Sequence, residues 1–189
     1  ANLSHAVDTT APELSSARTS TDGLKVELNY SESLLSPNGS GTPVIPSVSA
    51  TAFRVFRGDG REATVSSVNV SGSQVQINLA SALLPGDAVS VFYQAPASNI
   101  GVTNAAIQDS SGNDALSLGS LLVGQSVTNQ VAPAISSALL DSQSAALDQV
   151  VVGFNEAVTG LPDKSAFTVK VGGTPQIISS VSRSGNDLV

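Results

Sequence analysis

The chain has 189 residues, a net charge of -7, 41% apolar residues, 4% aromatic residues and no cysteine. That length suits one or two domains, and an acidic chain without a basic stripe argues against nucleic acid as a partner. No apolar run reaches the ~18 residues of a membrane-spanning helix, so membrane insertion is not expected.

In chain order, the residues read as strands. Leu24, Val26, Leu28 and Tyr30 alternate with Lys25, Glu27, Asn29 and Ser31, the period-two pattern of a half-buried strand. Phe53 and Val55 begin another strand, which turns at Gly58-Asp59-Gly60; Val65, Val68 and Val70 follow. Val75, Ile77 and Leu79 alternate with Gln74, Gln76 and Asn78, and Val89, Val91 and Tyr93 continue the pattern. The expected strands run near residues 13–18, 24–31, 52–57, 62–70, 74–80, 88–94 and 115–128. No stretch carries a helical stripe. Short strands at this spacing, separated by Gly, Pro, Asn and Ser, predict an all-β fold: an immunoglobulin-like antiparallel β-sandwich.

The chain then repeats itself in part. Ala11-Pro12-Glu13-Leu14-Ser15-Ser16-Ala17 returns as Ala132-Pro133-Ala134-Ile135-Ser136-Ser137-Ala138. Tyr30-Ser31-Glu32 returns as Phe154-Asn155-Glu156, Ala52-Phe53 as Ala166-Phe167, and Ser71-Gly72 as Ser184-Gly185. The offsets are 121, 124, 114 and 113, so the copies differ in loop length within one framework. Copy one carries about ten extra residues near Ser36–Pro46, rich in Gly, Pro and Ser. The predicted organisation is residues 1–10 as a linker from a preceding repeat, 11–131 as a complete repeat and 132–189 as a partial one. Half a sandwich exposes core and strand edges, so pairing with a strand of another chain is one expectation, truncation of a longer protein the other. The start, Ala1-Asn2-Leu3-Ser4-His5, reads as the middle of something longer. Without disulfides, such modules need another staple, either bound metal or packing against neighbours.

Ala106-Ile107-Gln108-Asp109-Ser110-Ser111-Gly112-Asn113-Asp114-Ala115 resembles the corresponding stretch of SWM-type repeats, found in very large bacterial surface proteins. Val7-Asp8-Thr9-Thr10-Ala11-Pro12 is similar to the start of many bacterial immunoglobulin-like repeats, and Tyr30-Ser31-Glu32 to one of their strand ends. The resemblance implies a tandem module of a giant adhesin, secreted or displayed on the bacterial cell surface, whose partners are the neighbouring repeats. The seam of copy two departs from it, with Asn129-Gln130-Val131 in place of Asp8-Thr9-Thr10.

Six residues are the candidate metal ligands. Asp109, Asn113 and Asp114 flank Gly112, Glu32 ends a strand, and Asp8 and Glu13 sit where the chain arrives. In a sandwich these loops share one end, and calcium takes six to eight oxygen ligands. The ordinary alternative is that Asp, Asn, Ser and Gly form turns. Copy two is expected to lack an equal site, because Asn129 replaces Asp8 and Ala134 replaces Glu13. Four features rank lower. Arg57-Gly58-Asp59 matches an integrin-type tripeptide but also ordinary hairpin chemistry. Phe56, Phe92 and Tyr93 suit a sugar-stacking face or plain packing. His5, the lone histidine, has no nucleophile elbow to serve, and the sequons at Asn2, Asn38 and Asn69 carry no weight in the bacterial chain that the resemblance implies. The sequence therefore reads as a non-catalytic extender module stiffened by calcium, with a carbohydrate- or protein-recognition module as the rival.

Overall fold

The structure, a computed structural model, describes residues 8–35, 48–96, 105–119, 124–141 and 148–189. It is all-β and divides into two compact units, 1–131 and 132–189. The Ser36–Pro46 insertion, His5 and the Asn2 and Asn38 sequons lie outside the described residues.

Unit 1 is built from two four-stranded antiparallel sheets around one core. The first contains β1 (Leu14–Thr19), β2 (Lys25–Tyr30), β6 (Gln74–Leu79) and β5 (Val65–Ser71), in the order β1-β2-β6-β5. The second contains β4 (Glu62–Ala63), β3 (Phe53–Arg57), β7 (Val89–Tyr93) and β8 (Gln125–Val127), in the order β4-β3-β7-β8. Alternation decides what enters the core. Val26, Leu28 and Tyr30 from β2 and Val75, Ile77 and Leu79 from β6 point inward and meet Phe53, Val55, Val89, Val91 and Tyr93. Burying each such side chain contributes about 1.5–3 kcal/mol. Phe53 and Tyr93 stack with ring centroids 4.9 Å apart, so the largest aromatic pair of the unit is core.

The expected strand over 62–70 is two strands. Its apolar spacing slips from Ala63 and Val65 to Val68 and Val70, and the chain uses that slip to change sheets. β4 pairs with β3 through Val55–Ala63, whereas β5 pairs with β6 through a bulge between Val65 and Ser67. The expected strand over 115–128 is short as well. Its described part holds β8 and an isolated bridge at Leu118, while 120–123 lie outside the described residues.

Unit 2 rebuilds the first sheet of unit 1. Its strands are β9 (Ile135–Asp141), β10 (Gln149–Phe154), β13 (Arg183–Ser184) and β14 (Asp187–Leu188), ordered β13-β14-β10-β9. A separate hairpin joins β11 (Lys170–Val171) to β12 (Thr174–Pro175). The likeness extends to single hydrogen bonds. Leu14 faces Tyr30 and Ser16 faces Asn29 across a bulge; Ile135 faces Phe154 and Ser137 faces Gly153 across the same bulge. The Leu28–Val75 pair returns as Val152–Leu188. A 3-10 turn capped by Ser49 precedes Phe53, and another capped by Asp163 precedes Phe167. Both tight turns place glycine in the left-handed region, Gly72 at φ 57° and Gly185 at φ 61°.

Candidate metal centre

Three segments converge at the end of unit 1 where the chain arrives. The first is Asp8–Pro12. Asp8 Oδ1 accepts the Thr10 N–H at 3.0 Å, a local turn that Asp favours. The second is Ser31–Leu35, which follows β2. Ser31 binds the Glu13 backbone on both sides: its N–H donates to the Glu13 carbonyl at 2.8 Å and its Oγ accepts the Glu13 N–H at 3.0 Å. Beyond it, Leu34 pairs with Asp109 in an isolated antiparallel bridge, and the Leu35 N–H donates to the Gln108 carbonyl at 2.7 Å. These bonds set Glu32 beside the third segment, Ile107–Ala115.

That third segment is a turn organised by one carboxylate. Asp109 Oδ1 accepts the N–H groups of Ser111 and Asn113, both at 2.8 Å. Its Oδ2 accepts the Asn113 side-chain amide at 2.8 Å, and the same amide donates to the Asp8 carbonyl at 3.2 Å. Gly112 sits at φ 84°, which only glycine adopts freely, and this closes the loop. Asp109 is buried, at 2% exposure. Burial pushes its carboxyl up, but the hydrogen bonds from Asn113, Ser111 and Gly112 together outweigh that and hold it below the usual range.

One carboxylate oxygen each from Asp8, Glu32 and Asp109 lies within 4.8 Å of the others. Among the described residues none of the three is in an ion pair. Desolvation, and then the charges of Asp109 and Asp8, push the Glu32 carboxyl above its ordinary range. Such an oxygen-only, electron-rich corner suits a hard cation. Asp109 Oδ1 has both lone pairs in its bonds to Ser111 and Asn113, whereas Asp109 Oδ2 and Asp8 Oδ1 accept one hydrogen bond each and keep a lone pair for an ion.

The six candidate ligands thus divide. Asp8, Glu32 and Asp109 come together, and Asn113 bridges the first and last of them. Glu13 is held at the same end by its backbone, but its exposed side chain is not in the group of three. Asp114 is Cα-paired with Gln108 and lies beside Tyr93; burial raises the Tyr93 hydroxyl's pKa first, and the Asp114 charge adds to this. Gln108 itself was not a sequence candidate. It is 1% exposed, and among the described residues neither its Oε1 nor its Nε2 has a hydrogen-bond partner. Its position between apolar Ile107 and Asp109 gave no sign that a polar side chain turns inward there.

The other motifs resolve as local structure. Arg57 donates through Nη2 to the Ala82 carbonyl in the loop after β6 at 3.0 Å, and Asp59 Oδ1 accepts the Arg61 N–H of its own hairpin at 2.9 Å, so both charged ends of the Arg57-Gly58-Asp59 tripeptide are engaged within unit 1. Phe56 and Phe92 meet edge to face at 5.3 Å on the outer face of the second sheet. They line a shallow depression of about 370 Å³. Arg54 lies 4.8 Å above the Phe56 ring and is held there by Glu62 at 2.7 Å.

Residues 7–98 match the family model of the SWM repeat, described as a flagellar system-associated repeat. The match spans β1 to β7 and includes Asp8, Glu13 and Glu32; it stops before the Ala106–Ala115 stretch that carried part of the resemblance. Neither a search of curated proteins nor one of solved structures found a match. Through residues 7–98, unit 1 of this chain is similar to the SWM repeat.

Proposed function

We propose that the chain is a non-catalytic part of a tandem immunoglobulin-like array, an extender of a large bacterial surface adhesin, stiffened by calcium. Its setting would be extracellular, and its partners neighbouring repeats. The sheet orders β1-β2-β6-β5 and β4-β3-β7-β8 support the immunoglobulin-like reading, since they follow the ABED and CFG pattern with one added strand. The recurrence of unit 1 hydrogen bonds in unit 2 supports the array. The Asp8, Glu32 and Asp109 group carries the calcium reading. It joins the arriving chain to two loops of the fold, so a bound ion would fix the direction in which one repeat leaves the next. Extracellular modules bind calcium at roughly 10⁻⁴ to 10⁻³ M.

Thermal melting of the whole chain in millimolar calcium and in chelator tests this. The expected result is a higher Tm for unit 1 in calcium, lost in Asp109→Asn. An ion that binds only the folded form stabilises it by about 2.7 kcal/mol at a hundredfold excess over Kd. An identical Tm in calcium and chelator would exclude the site.

The rival reading, recognition of a sugar or protein, has the depression beside Phe92 in its favour. The Arg54 guanidinium over Phe56 counts against stacking there, because it already covers that ring. Retention of the chain on immobilised glycans, abolished by Phe92→Ala, would favour recognition.

A further inference from the structure

The two seams of the chain use equivalent positions with different chemistry. Asp8 and Asn129 occupy the same place at an offset of 121. Each builds the same turn: the Thr10 N–H donates to Asp8 Oδ1 at 3.0 Å, and the Val131 N–H donates to Asn129 Oδ1 at 2.9 Å. The difference lies in the rest of the side chain. Asn129 Nδ2 donates to two carbonyls of one turn, Leu84 and Asp87, each at 2.9 Å. Beside it, the fully buried Thr19 uses its Oγ1 twice, accepting the Gln130 N–H at 2.7 Å and donating to Asn129 Oδ1 at 3.4 Å. The Thr128 N–H donates to the Ala17 carbonyl and the Thr19 N–H to the Thr128 carbonyl, both at 2.9 Å, so β1 holds the strap in register. All of these residues belong to unit 1.

A carboxylate at position 129 accepts hydrogen bonds but donates none. It would face the carbonyls of Leu84 and Asp87 with like partial charge, and only a cation could join them. The neutral amide needs no ion. We propose that Asn129 is a cation-independent latch that closes the C-terminal seam of unit 1, so that this seam holds at any calcium concentration while the Asp8 seam responds to it. The second half of that statement rests on the calcium reading above; the latch itself rests on the Asn129 bonds. The two side chains thus act on different sides of a seam: Asn129 binds the turn of the unit the chain leaves, and Asp8 gathers with loops of the unit the chain enters.

Two measurements test the latch in the full chain. The first is hydrogen exchange at single amides by NMR, in chelator and in millimolar calcium. The Val131 and Gln130 amides are expected to be protected equally in both, and the Thr10 amide more strongly in calcium. Calcium-dependent protection at Val131 overturns the latch. An unchanged Thr10 amide counts against the Asp8 site alone and leaves the latch standing. The second is melting of variants. Asn129→Asp is expected to lower the Tm of unit 1 by roughly 3–8 °C in chelator, and calcium is expected to restore most of that loss. Asn129→Ser keeps the turn acceptor but lacks the donors, and is expected to lose a similar amount in both buffers. If Asn129→Asp melts like the native chain in chelator, or if calcium restores it no better than Asn129→Ser, position 129 does not set ion dependence. If Asn129→Asp does not fold, Asn129→Ser with the native exchange data decides the question.

Discussion

In unit 1 the β2 residue Leu28 is fully buried between two sheets, whereas its equivalent in unit 2, Val152, is half-buried on one sheet. The hydrogen bonds around the two are the same. Ser31 ties β2 to the segment before β1, and Asn155 ties β10 to the segment before β9: the Asn155 N–H donates to the Ala134 carbonyl at 3.1 Å, and its Oδ1 accepts the Ala134 N–H at 2.9 Å. The burial is not the same. Every residue of β9 is exposed, and Ile135, Leu139 and Ile177 are 66%, 64% and 98% exposed. Local sequence therefore sets strand pairing, bulge and turn, while core burial needs the second sheet. Strand register is a near-neighbour property; hydrophobic stabilisation is a property of both faces together.

That contrast is broken or sharpened most by a core truncation. Leu28→Ala is expected to destabilise unit 1 by about 2–5 kcal/mol, because it leaves a cavity between closed sheets. Val152→Ala should cost less than about 1 kcal/mol, since one side of Val152 has little to lose. Denaturant unfolding of the two variants measures both. Similar losses would mean that unit 2 buries Val152 as fully as unit 1 buries Leu28.

A smaller effect separates two glycines with similar backbone angles. Gly23 has φ 71°, and a Cβ there would lie 2.6 Å from the Leu83 carbonyl oxygen. Gly185 has φ 61° and open space around it. Gly23→Ala is expected to cost roughly 2–4 kcal/mol from strain and clash combined, and Gly185→Ala about 1 kcal/mol from the backbone alone. Equal costs would show that the Leu83 loop yields to the added methyl.

The smallest expected effect is a pH slope. The Glu32 carboxyl sits above its ordinary range through desolvation and the Asp109 and Asp8 charges, so the folded state binds that proton more tightly than the unfolded chain does. Its contribution to metal-free stability is therefore full below the ordinary carboxylate pKa, and is lost as pH rises through the raised value. Asp109 has the opposite slope: its carboxyl is held low, and its contribution is lost as pH falls. In chelator, Glu32→Gln should flatten the decline in Tm above about pH 4.5 and melt slightly higher than the native chain near neutrality. A lower Tm at neutral pH would mean that the Glu32 charge is already compensated.

Much of this fold was legible in the sequence. Alternation placed β2, β6 and β7 to within a residue or so, because each has one face in the core and one in water. The change of sheet at Thr64 was not legible as such, because a slip in spacing from Val65 to Val68 does not say which partner each half will take. At the candidate site, Asp8, Glu32 and Asp109 were all named from the sequence, since turn-forming carboxylates at loop ends are visible there. The separation of Glu13 and Asp114 from them was not, because it depends on side-chain direction. The buried Gln108 left no trace for the same reason, and neither did the Asn129 bonds to Leu84 and Asp87, which join residues more than forty positions apart.

The most direct test of the central claim is a crystal structure of the chain grown in millimolar calcium. The account predicts one ion at about 2.3–2.6 Å from carboxylate oxygens of Asp8, Glu32 and Asp109, with the Asp8–Pro12 segment ordered against it. Only water among those three side chains at saturating calcium would contradict the account and reduce the Asp109 loop to a turn.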